Sequence, residues 1–270
     1  MDKEKFKDHL LINGNAFLTA RNYISRIERV LSKVKEEDFS EVTLTNFLRE
    51  LQKENSISTV NGYLNALTAY LKFIKKEIPL PKYLKDVRTL PKSIDENQLE
   101  KIIDVLSQVL HRDFIKFKAL FYFLFYSGIR IGEIDTLKRA DFNFERKEAK
   151  IFVSKTKEER IIAFENKTKN ALQSYFDSEE EVENAFNINS NAVQQRLKHF
   201  KKYFPDIDFH AHIFRHSFAR YCLEVLGLDI LTVSKLMGHS NITTTERYLR
   251  LTDTQFRDIY HRKADNKEEK

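Results

Sequence analysis

The sequence predicts a mainly α-helical protein with a small β-hairpin sheet, folded as two domains. Three observations carry that expectation. Apolar residues recur at the 3.6-residue period of amphipathic helices along most of the chain. Three of the four prolines, Pro79, Pro81 and Pro91, crowd into one short stretch, and proline both removes a backbone donor and restricts its predecessor, so the stretch reads as a joint. Between residues 142 and 162 the period shortens to the two residues of a sheet. The expected layout is a helical domain over 1–85, a linker over 86–91 and a second domain over 92–270. At 270 residues the chain is long enough for each domain to bury a core.

In the front domain, Tyr23, Ile27, Val30 and Leu31 mark one helix, and Val60, Leu64, Leu67, Leu71 and Ile74 another. Ser40 and Thr43 are candidate N-caps for a helix between them that ends near Gln52. Beyond the joint, Leu99, Ile102, Ile103, Leu106 and Leu110 follow Ser93 and Asp95, either of which can cap, and Phe117 to Phe125, apolar but for Lys118, form a core helix. Phe142 and Phe144 alternate, as do Ile151 and Val153, and Ile161 and Ile162 follow a polar tip at Lys155 to Glu159, which makes a hairpin. From His210 to Val225 the pattern is helical again, and Gly227 and Gly238 bracket a short element from Asp229 to Met237. Phe256, Ile259 and Tyr260 give the tail a short amphipathic helix, suited to a neighbouring subunit or to its own domain.

Composition sets the outer limits. Hydrophobic residues at 41% and charged ones at 32% suit a globular protein and argue against disorder. The longest apolar run, Ala119 to Ile129, is too short to span a bilayer, and the opening MDKEKFKDHL has no apolar signal segment, so no membrane partner and a cytoplasmic address are expected. A single cysteine forms no intrachain disulfide and excludes a cysteine-based zinc site. The net charge of +6 permits a nucleic-acid partner, and the excess is denser in front, where residues 1–90 hold 16 Lys and Arg against 12 Asp and Glu. The acidic run from Asp177 to Glu183 would repel phosphates and belongs on a face turned away from them, or in a solvated loop.

Residues 210 to 225, HAHIFRHSFARYCLEV, place His212, Arg215 and His216 on neighbouring helical turns. Taken alone, each histidine suits a hydrogen-bonded, partly buried role. His212 and His216 have the i, i+4 spacing of zinc ligands, but Ile213 stands where a metalloprotease has its glutamate. An anion site is the third reading, with Arg215 as a permanently charged fork. Three other stretches bear on the choice. YSGIRIGEIDTL, residues 126 to 137, puts Arg130 just beyond Gly128; VSKTKEERI carries Lys155 at a strand end; LMGHSNITTTERYL, residues 236 to 249, places His239 after Gly238 and Tyr248 further on. Any one of them alone is ordinary surface or core.

In this order and at these intervals, the four stretches resemble the catalytic domain of the tyrosine recombinases, the integrase and Xer-like family, over most of residues 92 to 260. The front domain and proline-rich joint resemble that family's helical SAM-like core-binding domain and its interdomain connection. The resemblance implies two catalytic arginines at Arg130 and Arg215, the hairpin lysine at Lys155, the histidine of the His-x-x-Arg pair at His212, a later histidine at His239 and the nucleophile at Tyr248. The hairpin tip departs from the family's glycine-rich pattern and leaves Lys157 as a rival to Lys155. It further implies double-stranded DNA as partner, a tetramer on two DNA sites, and strand exchange through a 3′-phosphotyrosyl link without metal, ATP or other cofactor. The front-helix residues Arg21, Arg26, Asn61 and Asn65 are candidates for reading bases. A nicking and relaxing enzyme of the type IB topoisomerase kind and a non-catalytic DNA-binding regulator are the competing functions.

Overall fold

Short polar side chains open the helices that the sequence marks. In the computed structural model, which describes residues 1–85, 92–153, 158–179 and 184–238, Ser40 caps α3 (Glu41–Glu54) in a reciprocal box with Thr43, and Ser56 caps α4 (Ile57–Phe73). Each such cap satisfies an otherwise unpaired N–H and contributes about 1 kcal/mol. With α1 (Lys3–Ile12) and α2 (Phe17–Leu31) they make up the front unit, one of two into which the chain divides, Met1–Arg88 and Thr89–Lys270. The linker over 86–91, the hairpin tip with Lys155 and Lys157, the acidic residues 180–183, and everything from His239 onward, with Tyr248 and the tail helix, lie outside the described residues.

The front unit packs Phe6 and Leu10 of α1, Ile27 and Val30 of α2, Leu44 and Leu48 of α3 and Leu64 and Leu67 of α4 into one core. Gly62 lets α2 come close: a Cβ there would stand 2.7 Å from the Arg26 guanidinium, which instead donates to the Gly62 carbonyl at 3.2 Å. Asn61 exchanges hydrogen bonds of 2.9 Å with the backbone of Leu84, and Asn65 bonds the Tyr83 hydroxyl, which pins the extended 79–85 segment back on α4. Three of the four side chains considered as base readers are therefore engaged within this unit; Arg21 is exposed.

The second unit is built around α6 (Phe114–Ser127), which is buried on all sides from Ala119 to Ser127. Phe121 meets Phe214 at 4.9 Å between ring centres, Phe117 meets Phe200 at 5.3 Å and Phe123 meets Phe186 at 5.7 Å. Removing each such ring from water stabilises the fold by about 1.5–3 kcal/mol, which explains why a helix with no polar face is tolerated. Around it stand α5 (Glu96–Val109), capped by Asp95 in a box with Gln98, α7 (Asn166–Ser178), α8 (Ser190–Phe200), α9 (Ala211–Arg220) and α10 (Ile230–Met237). The architecture is mainly α, as the periodicity predicts.

The three alternating segments form the small sheet that the sequence predicts. β1 (Phe142–Asn143), β2 (Glu148–Val153) and β3 (Glu158–Ala163) form an antiparallel sheet in that order, with Ile151 opposite Arg160. The helix expected to run through Val225 instead changes pitch: α9 stops at Arg220 and Tyr221–Val225 is π-helical, closed by Leu226 N donating to the Tyr221 carbonyl at 3.1 Å. The wider turn lets both Tyr221 and Cys222 face inward, where Tyr221 packs on Tyr126 at 5.4 Å and its hydroxyl bonds Glu165. Among the described residues no helix is long and apolar enough to cross a membrane.

Candidate active site

The way α6 stops brings the chain into the site. Gly128 ends it in the left-handed conformation, φ 61°, and a Cβ at that position would run into the Phe218 ring. Only glycine meets both demands. The chain then makes a short 3₁₀ helix, Ile131–Thr136, with Arg130 at its N-cap. Glu133 accepts from the Arg130 backbone N–H at 2.8 Å and from its Nη1 at 3.1 Å. Asp135, in the same turn, accepts from the backbone N–H and the hydroxyl of Ser190 at 2.6 and 2.7 Å, which fixes the turn to the start of α8.

Glu133 is only 7% exposed, and a carboxylate is rarely that deep without a partner. Arg160 supplies it from β3: Nη1 donates to one carboxylate oxygen at 2.7 Å and Nη2 to the other at 2.9 Å. Burial alone would lift the Glu133 pKa; the paired bond from Arg160, followed by Arg130, overrides burial and holds the carboxyl below its ordinary range.

Arg215 reaches the same place from α9. It is 5% exposed, and it donates to the Gly128 carbonyl at 2.5 Å and to the Met237 carbonyl at 2.6 Å. Arg130 Nη2 donates to the next carbonyl along, that of Gly238, at 2.8 Å. The Met237 and Gly238 oxygens belong to the end of α10, which closes on a left-handed Gly238 at φ 62°. The last carbonyls of a helix lack intrahelical partners and carry the negative end of its dipole, so two guanidiniums are stabilised there. A guanidinium has five N–H donors, so the two bonds that Arg130's terminal nitrogens make use only part of its supply.

His212 sits exposed in the first turn of α9, one turn before Arg215. Thinned hydration first, then the positive charges of His210, Arg215 and Arg130, lower its pKa below the ordinary histidine value. Its imidazole is therefore neutral at neutral pH and able to accept a proton. His216 is half-buried with its ring 6.3 Å from that of His212. Among the described residues no group of three or more His, Cys, Asp or Glu side chains is arranged to hold a metal ion.

Of the residues singled out in the sequence, Arg130, Arg215 and His212 thus share one site, while Lys155, His239 and Tyr248 lie outside the described residues. Glu133 and Arg160 were not among the candidates. Period two along β3 does carry a signal for Arg160, because it shares the face of buried Ile162, and an arginine on a buried face requires an acid.

Known proteins resemble this chain along most of its length. Residues 92–255 match the Phage integrase family. The chain belongs to that family. Tyrosine recombinase XerA of Pyrococcus furiosus is 30% identical over 274 residues, which cover 96% of this chain and 92% of XerA. Tyrosine recombinase XerC of Staphylococcus aureus is 23% identical, over 94% of this chain and 83% of XerC. Among solved structures, the Tn1549 transposon integrase in complex with transposon right-end DNA superposes with a TM-score of 0.73 at 18% identity, covering 97% of this chain and 99% of that one. A XerA crystal structure gives 0.55 at 20% identity over 96% and 97%. At these identities the structural likeness speaks to the fold alone, that of a two-domain tyrosine recombinase. The chain is a tyrosine-type site-specific recombinase, an enzyme that transfers DNA strands.

Proposed function

We propose that this recombinase cleaves double-stranded DNA with Tyr248 as nucleophile at a phosphate clamped by Arg130 and Arg215. One observation supports the reading most: the two guanidiniums meet on consecutive carbonyls, Gly238 and Met237, although they come from elements far apart in sequence. Nothing about folding alone demands two arginines at one helix end. An attacked phosphodiester passes through a pentacoordinate state with more negative charge than the ground state, and fixed donors in a dry site strengthen as that charge develops.

A tyrosine hydroxyl titrates near pH 10, so at pH 7 only about one in a thousand is phenolate and the attack needs a base. His212 takes that role. The Tyr248 oxygen bonds to phosphorus, its proton passes to His212, and the 5′ oxygen leaves with a proton from Lys155, or from Lys157. The 3′-phosphotyrosyl link keeps the energy of the broken bond, and another strand's 5′ hydroxyl reverses the step. His239 hydrogen-bonds the phosphate, and His216 braces His212. The protein works as a tetramer on two DNA sites in the cytoplasm, in the manner of an Xer enzyme or small integrase, with the front unit gripping the duplex largely through phosphates.

The test uses duplexes enriched from a random pool by binding to the full chain, then nicked so that cleavage traps the product. The expected result is a denaturant-resistant protein–DNA adduct that Tyr248→Phe abolishes. An undiminished adduct with Tyr248→Phe, or none with wild type on a bound duplex, overturns the proposal.

A further inference from the structure

We propose that Arg160 is a positioning residue for strand cleavage, holding the Glu133 carboxylate so that the positive charge of Arg130 stays available to the DNA phosphate. The inference rests on the assignment of Arg130 to that phosphate. Its starting point is a count of charges. Arg130 and Glu133 alone sum to zero, and a buried carboxylate with one arginine as its sole partner would neutralise the very group meant to bind an anion. Arg160 restores one net positive charge to the cluster.

Geometry supports the same division of labour. Arg160 meets both carboxylate oxygens in a paired fork, at 2.7 and 2.9 Å, whereas Arg130 gives its side chain to only one, at 3.1 Å. The paired contact fixes the carboxylate plane, which leaves Glu133 an aligning surface for Arg130 rather than a competing ligand. Arg160 also underlies the neighbouring backbone: its Cδ, Nε and Cζ lie 3.3 Å from where a Cβ of Gly238 would stand, and the Gly238 carbonyl is the one that Arg130 takes. One side chain on β3 thus touches the carboxylate behind Arg130 and packs against the residue that accepts from its other terminal nitrogen. The Arg160 Nε is buried without a hydrogen-bond partner among the described residues, a cost that filling space would not require.

The test measures single-turnover adduct formation at saturating DNA on an enriched nicked duplex, per folded molecule and well below each variant's melting temperature. Arg160→Met is expected to slow cleavage about 100-fold, the scale of losing one aligned donor. Adding Glu133→Gln removes the trapping charge and should recover about tenfold, while Arg160→Lys, which keeps the charge without the fork, should be slowed only about tenfold. A merely structural role would lower the folded fraction and leave the rate per folded molecule at the wild-type value. That result for Arg160→Met, or a double variant no faster than the single one, overturns the proposal. Should Arg160→Met fail to fold, Arg160→Lys decides: slowed cleavage supports the role and a wild-type rate removes it. Arg130→Ala serves as the separate arm. If it cleaves normally, the phosphate assignment falls and this inference with it; if it is slow while Arg160→Met is fast, only the role of Arg160 fails.

Discussion

Arg130 and Arg215 donate to neighbouring carbonyl oxygens, those of Gly238 and Met237, at 2.8 and 2.6 Å. The pair is held by the end of one helix, which leads by sequence directly to His239 and on to Tyr248. Two different losses should follow from the two arginines. Arg215→Ala strips donors from two buried carbonyls and should destabilise the second unit by about 1–3 kcal/mol for each group left unpaired. Arg130, which is more exposed, should cost little stability as Arg130→Ala. Both should slow adduct formation by about 100-fold or more. Denaturant melts and single-turnover cleavage separate the two effects; equal stability losses would contradict the difference in burial.

Gly128 carries a second prediction. Its left-handed φ and its closeness to the Phe218 ring act independently. Gly128→Ala should destabilise by about 2–4 kcal/mol, part backbone strain and part crowding. Crowding is shared with the ring and strain is not. A double-mutant cycle with Phe218→Ala should therefore show the two costs falling short of additivity, measured by urea unfolding. Strict additivity would mean that the ring moves aside freely.

Much of this fold is readable from residue pattern because local chemistry and burial agree there. Asp95 with Gln98 opens α5, the phenylalanine run of α6 is core, and Gly128 and Gly238 end their helices in left-handed turns. Arg130 and Arg215 are legible through a family resemblance, since neither periodicity nor charge marks them. Glu133 and Arg160 escape because a buried ion pair depends on two side chains meeting across 27 positions of sequence: Glu133 alone looks like solvated surface, and Arg160 stands out only once the face it shares with Ile162 is known to be buried. The π-helical stretch Tyr221–Val225 escapes for a different reason: its residues fit an α-helical period, and the side-chain packing of Tyr221 against Tyr126 and Glu165 selects the wider turn.

The lowered pKa of His212 gives the reaction a pH signature. The charged groups facing it are His210, Arg215 and Arg130, all of which disfavour imidazolium. As the native state binds the proton less readily than the unfolded chain, protonation favours unfolding as pH drops past the ordinary histidine value of about 6.5, and stability rises with pH through the window below it. Cleavage, which needs the neutral base, should hold its rate as pH falls to about 6.5 and decline only below it. His212→Gln should remove that acidic limb along with most of the activity. A limb centred above the ordinary histidine value would show that the neighbouring positive charges do not act on this imidazole.

Cys222, the single cysteine of the chain, offers a probe of how firmly the end of the catalytic unit is closed. It is 1% exposed in a small cluster with Phe218, Val233 and Met237, and burial first, then the charge of Glu165, push its thiol up to about 12. The thiolate is the reactive form, so a thiol reagent at pH 8 should label the native protein at least about 100-fold more slowly than the urea-unfolded chain. What labelling occurs should report opening of the π-helical segment and α10. Met237→Ala leaves a cavity in that cluster and should destabilise it by about 2–5 kcal/mol, with faster labelling in proportion to the open population. Because the backbone carbonyl of residue 237 accepts from Arg215, loosening this helix end should slow strand cleavage while leaving the front unit's thermal transition in place. Native labelling at the unfolded rate would show that the cluster does not shield the thiol.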